Sequence, residues 1–166
     1  MKIDKLFNGL KRIANGDYVL EGDLISEETI EIDLDDRFVV KGRIESKKSI
    51  IIRHGIKAGD GIEAGWGIKA GDGIKAGWGI EAGWGIEAGW GIKAGDGIEA
   101  GWGIEAGWGI EAGAFISVKK RIFAGISIYR TSKDCDKTIR CTELRDGEVC
   151  YGDLILTGSE EKPDED

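Results

Sequence analysis

The chain has 166 residues, with 23 Lys or Arg against 31 Asp or Glu, and a formal net charge of -8. Such an acidic surface repels the phosphate backbone, so the composition disfavours direct binding of DNA or RNA. The sequence has neither an apolar run of membrane-spanning length nor a signal-peptide pattern, so we expect no membrane partner. Three cysteines without a CxxC motif favour a reduced, cytoplasmic protein, and leave open whether two of them pair.

The first predicted element is a short amphipathic helix over residues 2–14. Its apolar residues are three or four positions apart, as on one face of a helix: Ile3, Leu6, Phe7, Leu10 and Ile13. Asn15-Gly16 follows as a helix stop, since both residues tolerate the left-handed conformation. We expect residues 1–16 to cap one end of the structure that follows.

The centre of the chain is a hexapeptide repeat. Ten near-identical units of the form Gly-Ile-(Lys/Glu)-Ala-Gly-(Asp/Trp) cover residues 55–114, and a large apolar residue recurs at every sixth position from Ile32 to Ile128. A period of six matches no helix and no isolated strand, and it predicts an all-β protein with a single β-solenoid. Within each unit, the first and third residues should point inwards and the second outwards. The solenoid is predicted to occupy residues 17–130.

Two turn lengths are compatible with this repeat. Asp60, Asp72 and Asp96 are separated by multiples of twelve residues. Like charges stacked about 4.8 Å apart are unfavourable, and a twelve-residue turn places more Lys and Glu residues beside an opposite charge than an eighteen-residue turn does. The pattern therefore favours a two-sided coil of twelve residues per turn. The alternative is a triangular left-handed β-helix of eighteen.

Glycine flanks every Asp or Trp in the repeats. Glycine permits positive φ and close backbone approach, so Gly-(Asp/Trp)-Gly is predicted to be the turn between three-residue strands. The Trp side chains should then form a ladder outside the coil. This ladder either protects the backbone or acts as an aromatic contact stripe, because Trp is enriched at binding hot spots.

The chain after residue 130 has a different pattern. Two apolar segments, Ile139–Leu144 and Val149–Leu156, flank Arg145-Asp-Gly-Glu, which predicts a β-hairpin within residues 131–157. The hairpin should seal the second end of the solenoid and so prevent end-to-end association. The acidic tail, residues 158–166, is predicted to be disordered.

The repeats resemble hexapeptide-repeat β-solenoid proteins over about residues 30–130. The best-known members are left-handed β-helix acyltransferases, which place a small residue two positions before the aliphatic one and use a histidine base. Here the order is Ile and then Ala, and the one histidine, His54, is predicted to be an exposed turn residue. The sequence also has no phosphate-binding loop, no zinc-like spacing and too few Asp residues for a calcium roll. We expect no enzymatic activity, cofactor or metal.

A rigid acidic rod favours a binding function. We expect the protein to inhibit a nucleic-acid-processing enzyme by occupying its basic groove as a DNA mimic. In its size, its acidic charge and its short duplicated repeat, the chain is similar to small acidic proteins of phages and mobile elements, which include inhibitors of CRISPR–Cas nucleases. The candidate partner-binding residues are Glu63, Glu81, Glu87, Glu99, Glu105, Trp66, Trp78, Trp84, Trp90, Trp102 and Trp108. The alternative is a structural, self-assembling scaffold similar to bactofilin-like polymers, and a homodimer also fits the sequence.

Overall fold

The computed structural model describes residues 1–126 and 136–157, and every helix or strand assigned in them is a β-strand. No helix able to cross a membrane occurs in this part of the chain. The strands are β1 (Lys2–Ile3), β2 (Leu10–Arg12), β3 (Tyr18–Leu20), β4 (Leu24–Ser26), β5 (Ile30–Ile32), β6 (Phe38–Val40), β7 (Ile44–Ser46), β8 (Ile50–Ile52), β9 (Ile56–Ala58), β10 (Ile62–Ala64), β11 (Ile68–Ala70), β12 (Ile74–Ala76), β13 (Ile80–Ala82), β14 (Ile86–Ala88), β15 (Ile92–Ala94), β16 (Ile98–Ala100), β17 (Gly103–Ala106), β18 (Ile110–Ala112), β19 (Phe115–Ala124), β20 (Thr138–Cys141), β21 (Glu143–Tyr151) and β22 (Asp153–Leu156).

The strands stack in parallel as a β-solenoid with eighteen residues per turn. Ile62 pairs with Ile44 on one side and with Ile80 on the other, so each hexapeptide lies on the third hexapeptide along the chain. Each turn therefore has three strands, one on each of three faces. The prediction of a β-solenoid is confirmed, whereas the preferred turn of twelve residues is wrong and the eighteen-residue alternative matches the pairing.

The turn length is decided by the interior of the coil rather than by its surface charges. The isoleucine and alanine of each unit face the interior, and Ile62 and Ala64 are only 1% and 2% exposed. Burying an isoleucine contributes about 1.5–3 kcal/mol, whereas an exposed ion pair contributes about 0–1 kcal/mol. A pattern of surface charges is therefore a weak guide to how many strands close around the core.

The glycines at the corners of the coil allow close backbone approach without positive φ. A Cβ atom at Gly83 would lie 2.1 Å from the carbonyl oxygen of Gly65, one turn earlier. The described glycines with positive φ all lie outside the ten repeats. The predicted close approach is thus confirmed, and the predicted positive φ in the repeats is wrong.

The N-terminal segment contains strands where the sequence predicted a helix. Strand β1 pairs in parallel with β5 and buries Ile3 completely, while β2 pairs antiparallel with β3. Leu6, an apolar residue of the predicted helix, is 92% exposed. The helix prediction is wrong because the first strands of the coil offer unpaired backbone groups, which neighbouring strands can satisfy and a helix cannot.

The stacking also extends closer to the N-terminus than the six-residue phase indicated. Ile30 pairs with Ile50, whereas Phe38 pairs with Ile56, so the turn containing residues 33–37 is two residues longer than the later turns. Ile32 consequently occupies the inner position of the alanines, and Leu34 is buried within the longer connection. The constant six-residue spacing of the large buried residues therefore begins at Phe38 rather than at Ile32.

At the C-terminal end the coil continues instead of forming a hairpin. Strand β20 pairs in parallel with β18 and β22, and β21 pairs in parallel with β19. The predicted hairpin turn, residues 145–148, lies within β21, where the pairing register shifts. The hairpin prediction is wrong because parallel stacking satisfies the open edges of β18 and β19. The first part of that predicted hairpin, residues 131–135, Ile128 and the tail at 158–166 lie outside the described residues.

Candidate protein-interaction surface

The eighteen-residue register separates the charges of the repeats onto different faces. We call the face containing β4, β7, β10, β13, β16 and the first part of β19 the acidic face. Its outward column, one residue per turn, contains four consecutive glutamates between Ile25 and Ser117: Glu45, Glu63, Glu81 and Glu99. With stacked turns about 4.8 Å apart, four carboxylates line one straight edge of the protein.

The acidic column is compensated at only one end. Glu45 accepts hydrogen bonds from Lys47 at 2.6 Å and lies 3.5 Å from Arg43, which lowers the pKa of the Glu45 carboxyl. Within residues 1–126 and 136–157, no ion pair involves Glu63, Glu81 or Glu99. Partial burial raises the pKa of Glu81, and the carboxylates of Glu63 and Glu99 raise it further.

A groove of about 520 Å³ runs beside the acidic column. Its opposite wall is the Trp78 corner, formed by Asp60, Trp78 and Asp96, which are joined by backbone hydrogen bonds from one turn to the next. Phe115 also lines this groove. The groove therefore presents carboxylates on both walls and a single indole between two aspartates, with Arg43 beside Glu45 as its one basic lining residue in the described chain. This arrangement can bind cationic side chains by charge and by cation–π contact.

The face that contains β3, β6, β9, β12, β15, β18, β20 and β22 carries the opposite charge, and we call it the lysine face. Lys57, Lys75 and Lys93 stack in its outward column. Lys93 donates to Glu111 over 2.7 Å, and no ion pair in the described residues involves Lys57 or Lys75. Sequence reasoning missed this column because it preferred a twelve-residue turn, in which Lys57, Lys75 and Lys93 are not neighbours.

The third face contains β1, β5, β8, β11, β14, β17 and the second part of β19, and we call it the mixed face. Its outward column includes Lys69, Glu87 and Glu105, and Lys69 donates to Glu87 over 2.6 Å. Two of the predicted partner-binding residues, Glu87 and Glu105, thus lie away from the acidic column. Lys69 and Glu87 are thus neighbours of opposite charge, which stabilises their pairing, whereas Glu87 and Glu105 are neighbours of like charge.

The tryptophans lie at the corners of the coil, in three groups. Trp66, Trp84 and Trp102 form a ladder with ring centroids 5.7 and 6.3 Å apart, and Lys120 lies 4.5 Å over the ring of Trp102. Trp90 and Trp108 form a second stack, with centroids 5.7 Å apart. The sequence correctly predicted a ladder outside the coil, but the six residues do not form one stripe.

Trp78 differs from the tryptophans of the two ladders. Its neighbours one turn away are Asp60 and Asp96, and its side chain is 69% exposed. The stacked rings cover each other on the sides that face one another, whereas Trp78 lies between Asp60 and Asp96 at its corner of the coil. Among the predicted aromatic contacts, Trp78 has the surroundings best suited to a cationic partner.

The remaining polar residues of the sequence analysis form no catalytic or metal-binding cluster in the described chain. The Nδ1 atom of His54 lies 3.2 Å from Asp72, one turn later at the same corner, so this histidine has a partner that the sequence did not reveal. No group of three or more His, Cys, Asp or Glu residues able to hold a metal ion occurs in the described part. Cys141 is buried and Cys150 is exposed, both as free thiols, and Cys135 lies outside the described residues.

Fold and surface together define an all-β solenoid with oppositely charged faces. No family model, no curated protein and no solved structure matches the chain.

Proposed function

We propose that the protein is a non-enzymatic inhibitor of a nucleic-acid-processing enzyme, such as a CRISPR–Cas nuclease, and that it acts by placing its acidic face in the basic groove of that enzyme. The single observation that carries the proposal is the column of Glu63, Glu81 and Glu99, stacked in register without ion pairs in the described chain. Stacked like charges destabilise a sheet, so their presence favours a role outside the folding of the chain.

The acidic face is suited to compete with a nucleic acid strand. Duplex DNA carries about one phosphate per 3.4 Å along each strand, and the column carries one carboxylate per turn of about 4.8 Å. Asp60 and Asp96 on the opposite wall add charge to the same groove. Because the column lies on hydrogen-bonded strands, little conformational freedom is lost when it binds.

The separation of charges between faces would orient the protein on its partner. A basic groove attracts the acidic face and repels the column of Lys57, Lys75 and Lys93, so one orientation is favoured. In that orientation Trp78, at the border of the acidic face, can contact an arginine of the enzyme. The proposed inhibitor then blocks the substrate path without chemistry of its own.

The proposal is tested by DNA-cleavage assays on a panel of CRISPR–Cas nucleases with three proteins. These are the unaltered chain, E63K/E81K on the acidic face, and E31K/E105K on the mixed face as a control with the same change in net charge; all four positions are exposed. We expect E63K/E81K to need at least tenfold more protein for half-inhibition, and the control to stay within about threefold of the unaltered chain, because only the first change reverses the contact surface. Equal losses in both variants, or inhibition by none of the proteins, would refute the proposal.

A self-assembling scaffold is the second candidate, and the C-terminal end of the coil favours it. Tyr151, Leu154, Ile155 and Leu156 are all between 39% and 44% exposed on the last strands. Exposed apolar residues at the end of a solenoid favour end-to-end contact. An apolar contact of this kind should persist in high salt and weaken in L154K, as measured by sedimentation. A sedimentation profile that L154K leaves unchanged would count against the scaffold.

A further inference from the structure

We propose that the acidic face of one copy docks against the lysine face of a second copy, with the two coils side by side. This contact differs from the end-to-end contact of a scaffold and does not depend on the proposed inhibition of an enzyme. It is inferred from two columns of opposite charge on one chain, Glu63, Glu81 and Glu99 on one face and Lys57, Lys75 and Lys93 on another.

The two columns have the same spacing because one coil produces both. Lys57 precedes Glu63 by six residues, which is one third of the eighteen-residue turn. Two parallel coils therefore need a relative shift of only about 1.6 Å along their axes to bring these two charges opposite each other. The same shift also brings Lys75 opposite Glu81. Lys93 likewise comes opposite Glu99, so the charges are complementary over three consecutive turns.

Within one chain these charges are largely uncompensated. No ion pair of the described residues involves Glu63, Glu81, Lys57 or Lys75, although the mixed face shows that the repeats can place Lys69 beside Glu87. Each column thus retains the repulsion between stacked like charges about 4.8 Å apart. A second copy relieves the repulsion on both faces at once, which a change within one face cannot do.

The contact is expected to be weak and open-ended. Each face is three residues wide, about 10 Å, and four turns extend about 19 Å, so the area is well below the roughly 800 Å² per partner of a standard interface. The two docking faces differ, so a pair of coils keeps one free acidic face and one free lysine face. Association should therefore rise with protein concentration rather than stop at a dimer.

The test is a charge exchange between two variants, E63K/E81K and K57E/K75E. The first carries lysines on both docking faces and the second carries glutamates on both, so neither should associate with itself. Their equimolar mixture restores the complementary faces and should associate. The weight-average mass is measured by sedimentation equilibrium from about 10 μM to 1 mM protein, and circular dichroism establishes that each variant is folded.

We expect the mass of the unaltered chain and of the mixture to increase over this range, and each variant alone to associate at least tenfold more weakly. The control E31K/E105K, on the mixed face, should behave as the unaltered chain. An unaltered chain that stays monomeric at 1 mM would overturn the proposal, as would a mixture that does not associate or a control that loses association. None of these measurements includes a nuclease, so a failure of self-association can be distinguished from a failure of the proposed inhibition.

Discussion

The two glycines of one corner should respond very differently to alanine, although they flank the same residue, Trp84. A Cβ at Gly83 would lie 2.1 Å from the carbonyl oxygen of Gly65, whereas a Cβ at Gly85 would lie 3.3 Å from that of Gly103. Gly83→Ala must therefore push two backbone turns apart, since no side chain can move out of the way. Gly85→Ala needs a shift of only a few tenths of an ångström.

The cost of Gly83→Ala follows from the contacts that the shift would disturb. Gly83 donates to the carbonyl of Ala64 over 3.0 Å, and Trp84 donates to that of Trp66 over 2.7 Å. Each such hydrogen bond contributes about 0.5–1.5 kcal/mol, and overpacking costs about 1–3 kcal/mol. We therefore expect a loss of roughly 3 kcal/mol in the free energy of unfolding. Gly85→Ala should stay within about 1 kcal/mol, because alanine also lowers the entropy of the unfolded chain.

Urea unfolding followed by far-ultraviolet circular dichroism measures both variants without relying on Trp84 fluorescence. Gly83 is the more exposed of the two glycines, so a reasoning based on burial alone predicts the opposite order. If Gly85→Ala were as destabilising as Gly83→Ala, the close stacking of the corners would not be what requires glycine.

Four further predictions concern the core, the acidic column, the thiols of Cys141 and Cys150, and the tryptophan ladder. Ile80→Val should lower the free energy of unfolding by about 0.5–1.5 kcal/mol in urea, since it removes one buried methylene, and a neutral result would contradict a packed interior. Burial, together with repulsion from Glu63 and Glu99, raises the pKa of Glu81 in the folded protein, so protonation of Glu81 stabilises the fold at low pH and this stabilisation is lost as pH rises above about 4.5. Glu81→Gln should therefore be more stable than the unaltered chain at pH 7 and equally stable near pH 4, and equal stabilities at both pH values would contradict the raised pKa. Iodoacetamide at pH 8 should label Cys150 in the folded protein and Cys141 only after unfolding, because burial excludes the reagent and raises the pKa of the Cys141 thiol; peptide mass spectrometry distinguishes the two. Trp84→Ala should remove the part of the tryptophan circular dichroism signal that comes from the ladder of Trp66, Trp84 and Trp102, since this ring stacks on both of the others, and should leave the part from Trp90 and Trp108. An unchanged spectrum would contradict the ladder.

The proposed surface could be predicted from the sequence only in part. The pattern correctly placed Glu63, Glu81 and Glu99 on the outside, because the second residue of each three-residue strand must point away from the core. It did not show that these three stack, since the nearest neighbour of each depends on the number of strands per turn. Glu45 and the lysine column were missed for the same reason.

The structure of the ends of the coil also could not be predicted from the sequence. The apolar spacing from Ile3 to Ile13 fits a helix, but in the structure Ile3 is buried beside Ile32 and Leu6 is exposed. A short isolated helix is only marginally stable in water, and an open strand edge close by offers better hydrogen bonding. Such an edge exists only once the coil has formed, so no local sequence pattern can show that strand pairing is favoured over a helix.

By itself the sequence determined that the chain is a β-solenoid with isoleucine and alanine inside, because a six-residue period with an alternating strand pattern has few other solutions. Only the tertiary structure decided that three strands close each turn, which sets whether a given charge lies on a like or an opposite neighbour. The physical reason is that burial of the apolar core determines the turn, while the weaker surface charges follow the register that the core imposes.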